Sequence, residues 1–122
     1  LQILLYDTEI FFDEINFKTY RIISQMGPFG ISNLKPVFIS KKCQEKTKTT
    51  LVGKNKEHLK LLIKDKKGKV MPGIAFNKSS YIDKIGGNVL FDILYTIDEN
   101  SWNGKRFLQL IIKDFKINTP PF

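Results

Sequence analysis

The sequence predicts a mainly β domain, a small five-stranded Greek-key barrel with a short helix between the third and fourth strands and a strand-and-helix arm in front. Three observations lead there. Asn103-Gly104 sits between two long alternating runs, and a type I′ turn, with φ > 0 at both central residues, favours that dipeptide. From about residue 36 the order is strand, strand, strand, short helix, strand, strand, which is the order of the OB-fold. The first of these strands is long enough to bend, as such a barrel requires. From pattern alone, an SH3-like barrel or an open sandwich remains the rival.

In chain order, residues 1–35 read as an arm and connector, 36–118 as the barrel and 119–122 as a tail. Leu1 to Ile15 alternates loosely and carries Asp7, Glu9, Asp13 and Glu14. Asn16 suits the N-cap of a helix over Phe17 to Met26, with Phe17, Tyr20 and Ile23 as its apolar stripe. Gly27 and Pro28 stop that helix. Pro28 to Pro36 is a turn-rich connector. Val37 to Val52 reads as one long strand or a bent pair, and Gly53 to Glu57 as a turn. His58 to Asp65 alternates, with Leu59, Leu61 and Ile63 on one face and His58, Lys60 and Lys64 on the other. After a turn at Lys66 to Lys69 comes a strand over Val70 to Asn77, where Ile74 and Phe76 share a face and Pro72 argues for an edge or bulge. Lys78 to Ile85 makes a short helix, contacting through Tyr81, Ile82 and Ile85, and Gly86-Gly87 ends it.

The closing hairpin spans Val89 to Ile117. With Asn103-Gly104 as the loop, Trp102 faces Lys105, Ile97 faces Leu110 and Tyr95 faces Ile112. Val89, Phe91, Ile93, Tyr95 and Ile97 then share a face with Leu108, Leu110 and Ile112. A slip of one residue would scramble this sorting, so turn chemistry and alternation specify the same register. Phe107 and Phe115 fall on the outer face, where cover by the N-terminal helix is expected.

A chain of 122 residues with 42% hydrophobic content has one core to bury. No apolar run reaches the roughly 18 residues of a membrane span, and no signal-peptide layout opens the chain. The single cysteine, Cys43, excludes an internal disulfide, so a cytoplasmic origin is expected. The chain opens on Leu1 in strand-like sequence and is read as a piece of a longer protein. Its net charge of +8 is concentrated. Lys41 to Lys69 holds eleven lysines against Glu45, Glu57 and Asp65, an excess equal to that of the whole chain. Such a segment is the footprint of an electrostatic binding surface, or a lysine-rich edge that keeps strands from aggregating.

Catalytic signatures are missing. His58 is the only histidine and has no partner motif; no phosphate loop, CxxC or HExxH occurs. One cysteine and one histidine do not make a structural zinc site. What the chain offers is lysine interleaved with aromatics. Single-stranded nucleic acid binds with phosphates along a basic groove and bases stacked on rings, each stack worth about 1–3 kcal/mol. In OB-folds the strand 2–3 face and the loops joining strands 1–2 and 4–5 do this. Here those parts hold Lys54, Lys56, His58 and Lys60, then Asn100, Trp102, Lys105 and Arg106. Trp102 is either a stacking platform or a cap on the barrel end, and His58 reads equally as an ordinary surface residue.

The connector MGPFGISNLKPVF resembles the PFGxGNPxPxF signature ahead of the C-terminal OB domain of RecJ, the bacterial single-strand-specific 5′→3′ exonuclease. The segments GKNKEHLKL, IAF and NSWNGKRFLQLIIKDF follow in the same order as their counterparts, and the resemblance runs from about Tyr6 to Ile117. Its most specific residues are Pro28-Phe29-Gly30 with Asn33, His58-Leu59-Lys60, Asn100, Trp102, Gly104, Gln109-Leu110 and Lys113-Asp114. Ser32 and Leu34 depart from the family's glycine and proline.

The resemblance implies a DNA-binding module without its nuclease: no cofactor in this segment, with Mn²⁺ or Mg²⁺ expected in catalytic domains elsewhere in the same chain. The expected partners are single-stranded DNA and those catalytic domains. The alternative is a protein-interaction domain that takes an acidic peptide, such as the tail of a single-strand-binding protein. A third reading is a structural clamp that closes a ring around DNA.

Overall fold

The computed structural model describes residues 9–25 and 36–118. The expected strand over the first eight residues, the helix stop at Gly27-Pro28, the connector up to residue 35 and the tail at Pro120-Pro121 lie outside the described residues.

The chain is mainly β. After a 3₁₀ turn at Phe12–Glu14 and helix α1 (Phe17–Gln25) come β1 (Phe38–Glu45), β2 (Thr50–Val52), β3 (His58–Lys64) and β4 (Val70–Ala75). A 3₁₀ turn at Ser79–Tyr81 then leads to β5 (Phe91–Trp102) and β6 (Lys105–Ile117). The pairings run β1–β5–β6–β4–β3 and return from β3 to β1, so the sheet closes on itself. Of the two forms expected for Val37 to Val52, one long strand or a bent pair, the chain takes the second, as β1 and β2. Both pair with β3, Glu45 opposite Ile63 and Thr50 opposite Lys60, and residues 46–49 bulge between them. The break is held by Glu45, whose carboxylate accepts from the Thr49 hydroxyl at 2.7 Å, the Thr49 N–H at 3.2 Å and the Gly87 N–H at 2.8 Å. Burial alone would raise this carboxyl, and those hydrogen bonds outweigh it and hold it below its usual value.

All pairs between neighbours in the ring are antiparallel except β4–β6, which is parallel through Gly73–Leu110 and Ile74–Ile111. This is the seam where the ring shuts. Gly73 keeps this approach close: a Cβ would stand 2.9 Å from Ile63 Cδ1 and 3.2 Å from Ile112 Cδ1, so those side-chain tips would have to shift. Pro72, next to the seam, sits just before the first residue paired to β6, consistent with its lack of a donor.

The hairpin register is as the turn demands: Trp102–Lys105, Ile97–Leu110 and Tyr95–Ile112 are paired, and Asn103 and Gly104 have φ of 52° and 75°. One feature departs from strict alternation. Leu94 pairs with Asp114 while Tyr95 pairs with Ile112, so Lys113 is an extra residue. The bulge swaps faces beyond it and turns Phe115 inward opposite Ile93, where it packs on Tyr81 and Phe91 at ring separations of 5.0 and 5.5 Å. Phe115 is therefore core, but not beneath the arm. Phe107 stays on the outer face and is 36% exposed.

The arm docks elsewhere. Ile10 N–H donates to the Ile39 carbonyl at 3.0 Å, and Ser40 Oγ donates to the Ile10 carbonyl at 2.7 Å while Tyr95 OH lies 2.8 Å from that Oγ. Phe12, fully buried, meets the Tyr95 ring edge-to-face at 6.2 Å. Asn16 Oδ1 accepts from Thr19 N–H at 2.8 Å and caps α1, whose Phe17, Tyr20 and Ile23 pack against the core.

Candidate nucleic-acid interface

The outer face of the closed sheet carries a continuous row of cross-strand neighbours. Thr50 pairs with Lys60, Lys60 with Ile74, Ile74 with Ile111 and Ile111 with Thr96. Two depressions lie along this face. One, of about 250 Å³, is lined by Lys48, Thr50, Lys60, Leu62 and Pro72 among others, and ends at Gln109. The other, of about 620 Å³, begins at Gln109 and is bounded by Phe76, Asp98, Asn100, Ile111 and Lys113.

The turn between β2 and β3 sets the basic edge of this face. Lys56 N–H donates to the Gly53 carbonyl at 3.1 Å, and Glu57 Oε1 accepts from Asn55 N–H at 3.2 Å. Gly53 has φ of 102°, and a Cβ there would lie 2.2 Å from Glu57 Oε1 and 2.8 Å from His58 Cδ2. The turn pushes Lys54 and Lys56 into solvent, and alternation along β3 does the same for Lys60. None of the three forms an ion pair among the described residues.

His58 is committed to the protein. Its Nδ1 accepts from Asn77 N–H at 2.9 Å, and its ring meets Phe76 edge-on at 5.0 Å. Its Nε2 lies 3.8 Å from Glu57 Oε1. His58 thus fixes the end of β4 and the position of Phe76, whose ring is 49% exposed on the groove wall. Phe76 was not among the candidate residues. Its signal, a face shared with Ile74, was legible, but alternation alone does not tell an exposed ring from one beneath a helix.

At the other end, the hairpin tip presents Trp102, which is 72% exposed and so caps nothing. Trp102, Asn100, Lys105 and Phe107 alternate onto the outer face, and Asn100 Nδ2 donates to Gln109 Oε1 at 3.2 Å. Arg106 alternates to the opposite face. It pairs with Glu99, and its guanidinium lies 5.1 Å from the Phe17 ring of α1. Of the sequence-predicted residues, Lys60 and Asn100 line the depressions, while Lys54 and Lys56 stand exposed on the turn between β2 and β3 and Trp102 and Lys105 stand exposed at the hairpin tip. His58 serves as a support and Arg106 turns away.

The chain matches the family described as RecJ OB domain over residues 6–114. The chain belongs to that family. It is 26% identical over 107 residues to a single-stranded-DNA-specific exonuclease RecJ of Bacillus subtilis, covering 87% of this chain and 13% of the relative. It is 30% identical over 108 residues to a protein of the same description from Haemophilus influenzae, covering 87% of this chain and 18% of the relative. The chain thus spans less than a fifth of the length of these two RecJ relatives.

Among the described residues no three of His, Cys, Asp and Glu gather as metal donors. Burial pushes the Cys43 thiol up to about 12, which leaves it a buried apolar contact rather than a nucleophile. No helix among the described residues is long and apolar enough to cross a membrane.

Proposed function

We propose that this domain is the single-stranded-DNA-binding module of a RecJ-like exonuclease. In this reading it holds the strand for 5′→3′ degradation, in DNA repair and recombination, by Mn²⁺- or Mg²⁺-dependent catalytic domains in the remainder of a cytoplasmic protein. The observation that carries the reading is the outer groove itself. Lys60, which has no carboxylate partner among the described residues, lines it together with the half-exposed Phe76 ring and Asn100. Lys54 and Lys56 stand on the turn that leads into β3, and Trp102 stands exposed at the hairpin tip, on the face where OB-folds take oligonucleotides.

Binding follows from elementary electrostatics. Phosphates of the strand lie along Lys54, Lys56 and Lys60, with Lys105 at the far tip, and displace condensed counterions. Bases turn toward Phe76 and Trp102, whose faces stack on any base. The geometry needs a strand that is already single, because paired bases do not offer their faces.

The test is titration of the 122-residue protein with a fluorescent oligonucleotide at several salt concentrations. Four phosphate contacts give a slope of log K against log salt near −3, from about 0.7 per phosphate for single strands. Trp102→Ala lowers affinity by about 1–3 kcal/mol with the slope nearly unchanged, since stacking releases no counterions. Tighter binding of an acidic peptide than of any oligonucleotide would overturn the reading.

A further inference from the structure

The one histidine of the chain stands beside the one ring that lines the larger depression. Leu59 pairs with Ala75, so the same antiparallel register sets His58 next to Phe76 on the outer face. Both ring nitrogens of His58 face the protein. Nδ1 accepts from Asn77 N–H at 2.9 Å, so it bears no proton, and the neutral ring carries its proton on Nε2, 3.8 Å from Glu57 Oε1. On one side the imidazole crowds the turn, where a Cβ on Gly53 would lie 2.8 Å from Cδ2. On the other it meets the Phe76 ring edge-on at 5.0 Å. The histidine is thus wedged between the turn and Phe76, and tied to the residue that follows Phe76.

An imidazolium donates from both nitrogens and accepts at neither. A proton on Nδ1 would point at Asn77 N–H, and the bond that anchors the end of β4 would be lost. No neighbouring charge offers that proton another acceptor. The Glu57 carboxylate, held below its ordinary value first by its own backbone N–H, lies by Nε2 instead. The other charged side chains on the surrounding elements, Lys54, Lys56, Lys60 and Lys78, are donors only.

We propose that His58 is a positioning residue for Phe76, and that stacking of a base on Phe76 requires the neutral imidazole. The inference rests on the single-strand-binding reading and adds a proton linkage to it. The neutral ring supports Phe76 edge-on and holds Asn77; the protonated ring releases Asn77, and the platform loses its fixed geometry. Protonation leaves the lysine contacts to phosphate in place and adds a positive charge beside them. Only the stacking part of the affinity is lost as pH falls through the range in which histidine titrates, about 5 to 8.

The probe is a single-stranded thymine homopolymer of about ten nucleotides, within the span of one OB-fold. Its affinity is measured for the wild type and for Phe76→Ala at about pH 8 and about pH 5, the two ends of the histidine range, with circular dichroism confirming the fold at each. Thymine takes up no proton in this range, and the charge on His58 acts on both proteins alike, so the ratio of the two affinities isolates the ring. That ratio is expected to be about tenfold at the higher pH and to shrink to about threefold at the lower, the difference being the worth of a fraction of one hydrogen bond. His58→Asn keeps an acceptor for Asn77 N–H but does not titrate, and its ratio is expected to be the same at both pH values. A wild-type ratio equally large at both overturns the proposal, as does a ratio in His58→Asn that shrinks as the wild type's does. Phe76→Ala binding like the wild type at about pH 8, with salt dependence intact, also overturns it and leaves the lysine track standing. Failure of the wild type to bind the strand at low salt overturns the reading on which the linkage rests, and the linkage with it.

Discussion

Two parts of one lysine-rich segment have opposite fates. Lys54, Lys56 and Lys60 project from a turn and an outward strand face, with no acid against them among the described residues. A few residues on, Lys66 Nζ lies 2.9 Å from Glu9 Oε2, and Lys67 Nζ lies 3.8 Å from Asp13 Oδ2 and 4.0 Å from the centre of the Phe11 ring. The turn between β3 and β4 is a socket for the acidic arm, and its lysines are part of the fold. Charge counted along a sequence sums the two groups; only the tertiary structure separates lysines with an acidic partner from lysines without one among the described residues.

The comparison can be broken by detaching the arm. Phe12→Ala removes a fully buried ring and is expected to cost about 3–5 kcal/mol, read as a lower urea midpoint. Asp65→Ala comes next. Asp65 is buried, and its carboxylate accepts from Phe12 N–H at 2.8 Å, Lys69 N–H at 3.0 Å and Lys67 N–H at 3.1 Å. Removing it leaves these donors unmet, a loss of about 3 kcal/mol. For both variants the folded fraction should bind oligonucleotide with an unchanged salt slope, because the binding face is not touched. A steeper slope once the arm is loosened would mean that Lys66 and Lys67 join the ligand surface and that the two groups are not distinct.

A smaller effect concerns pH at the edge of the first group. The Glu45 carboxyl is held below its ordinary value, so its contribution is complete above about 4.5, the value it would have unfolded, and fades as pH falls through the lower native value. Glu45→Gln should flatten the acid side of the stability curve by less than about 1 kcal/mol, because the group is largely in solvent. Its neutral-pH stability should fall modestly as the Thr49 and Gly87 hydrogen bonds weaken.

What the sequence made legible was what short-range rules determine. Asn103-Gly104 set the turn, alternation set the partner of Tyr95 and Ile97, and Asn16 set the start of α1. The misreadings arose where one residue changes the count or a distant segment intervenes. The extra residue Lys113 reversed the face of Phe115, and no periodic pattern marks a bulge. Arg106 belongs to the hairpin-tip segment that the OB pattern marks as binding, yet neighbours in a strand point to opposite faces, and Arg106 meets Glu99 and the Phe17 ring. His58 was grouped with the lysines, but its partner is the backbone of Asn77 across the turn after β4. Phe76 was visible as an outward residue; its exposure depends on what packs above it, which the strand itself does not record.

The central claim is that the outer groove, with Lys60 lining it and Lys54 and Lys56 on the turn that leads into β3, holds single-stranded DNA. The most direct measurement is the slope of log K against log salt for a short single strand, compared among the wild type, Lys54→Ala/Lys56→Ala/Lys60→Ala and Lys66→Ala/Lys67→Ala. The account predicts that the first variant flattens the slope by about two units and weakens all oligonucleotides alike. It predicts a wild-type slope for the second, with stability changed by less than about 1 kcal/mol. A wild-type slope in the triple variant, or a flattened one in the double variant, would contradict it.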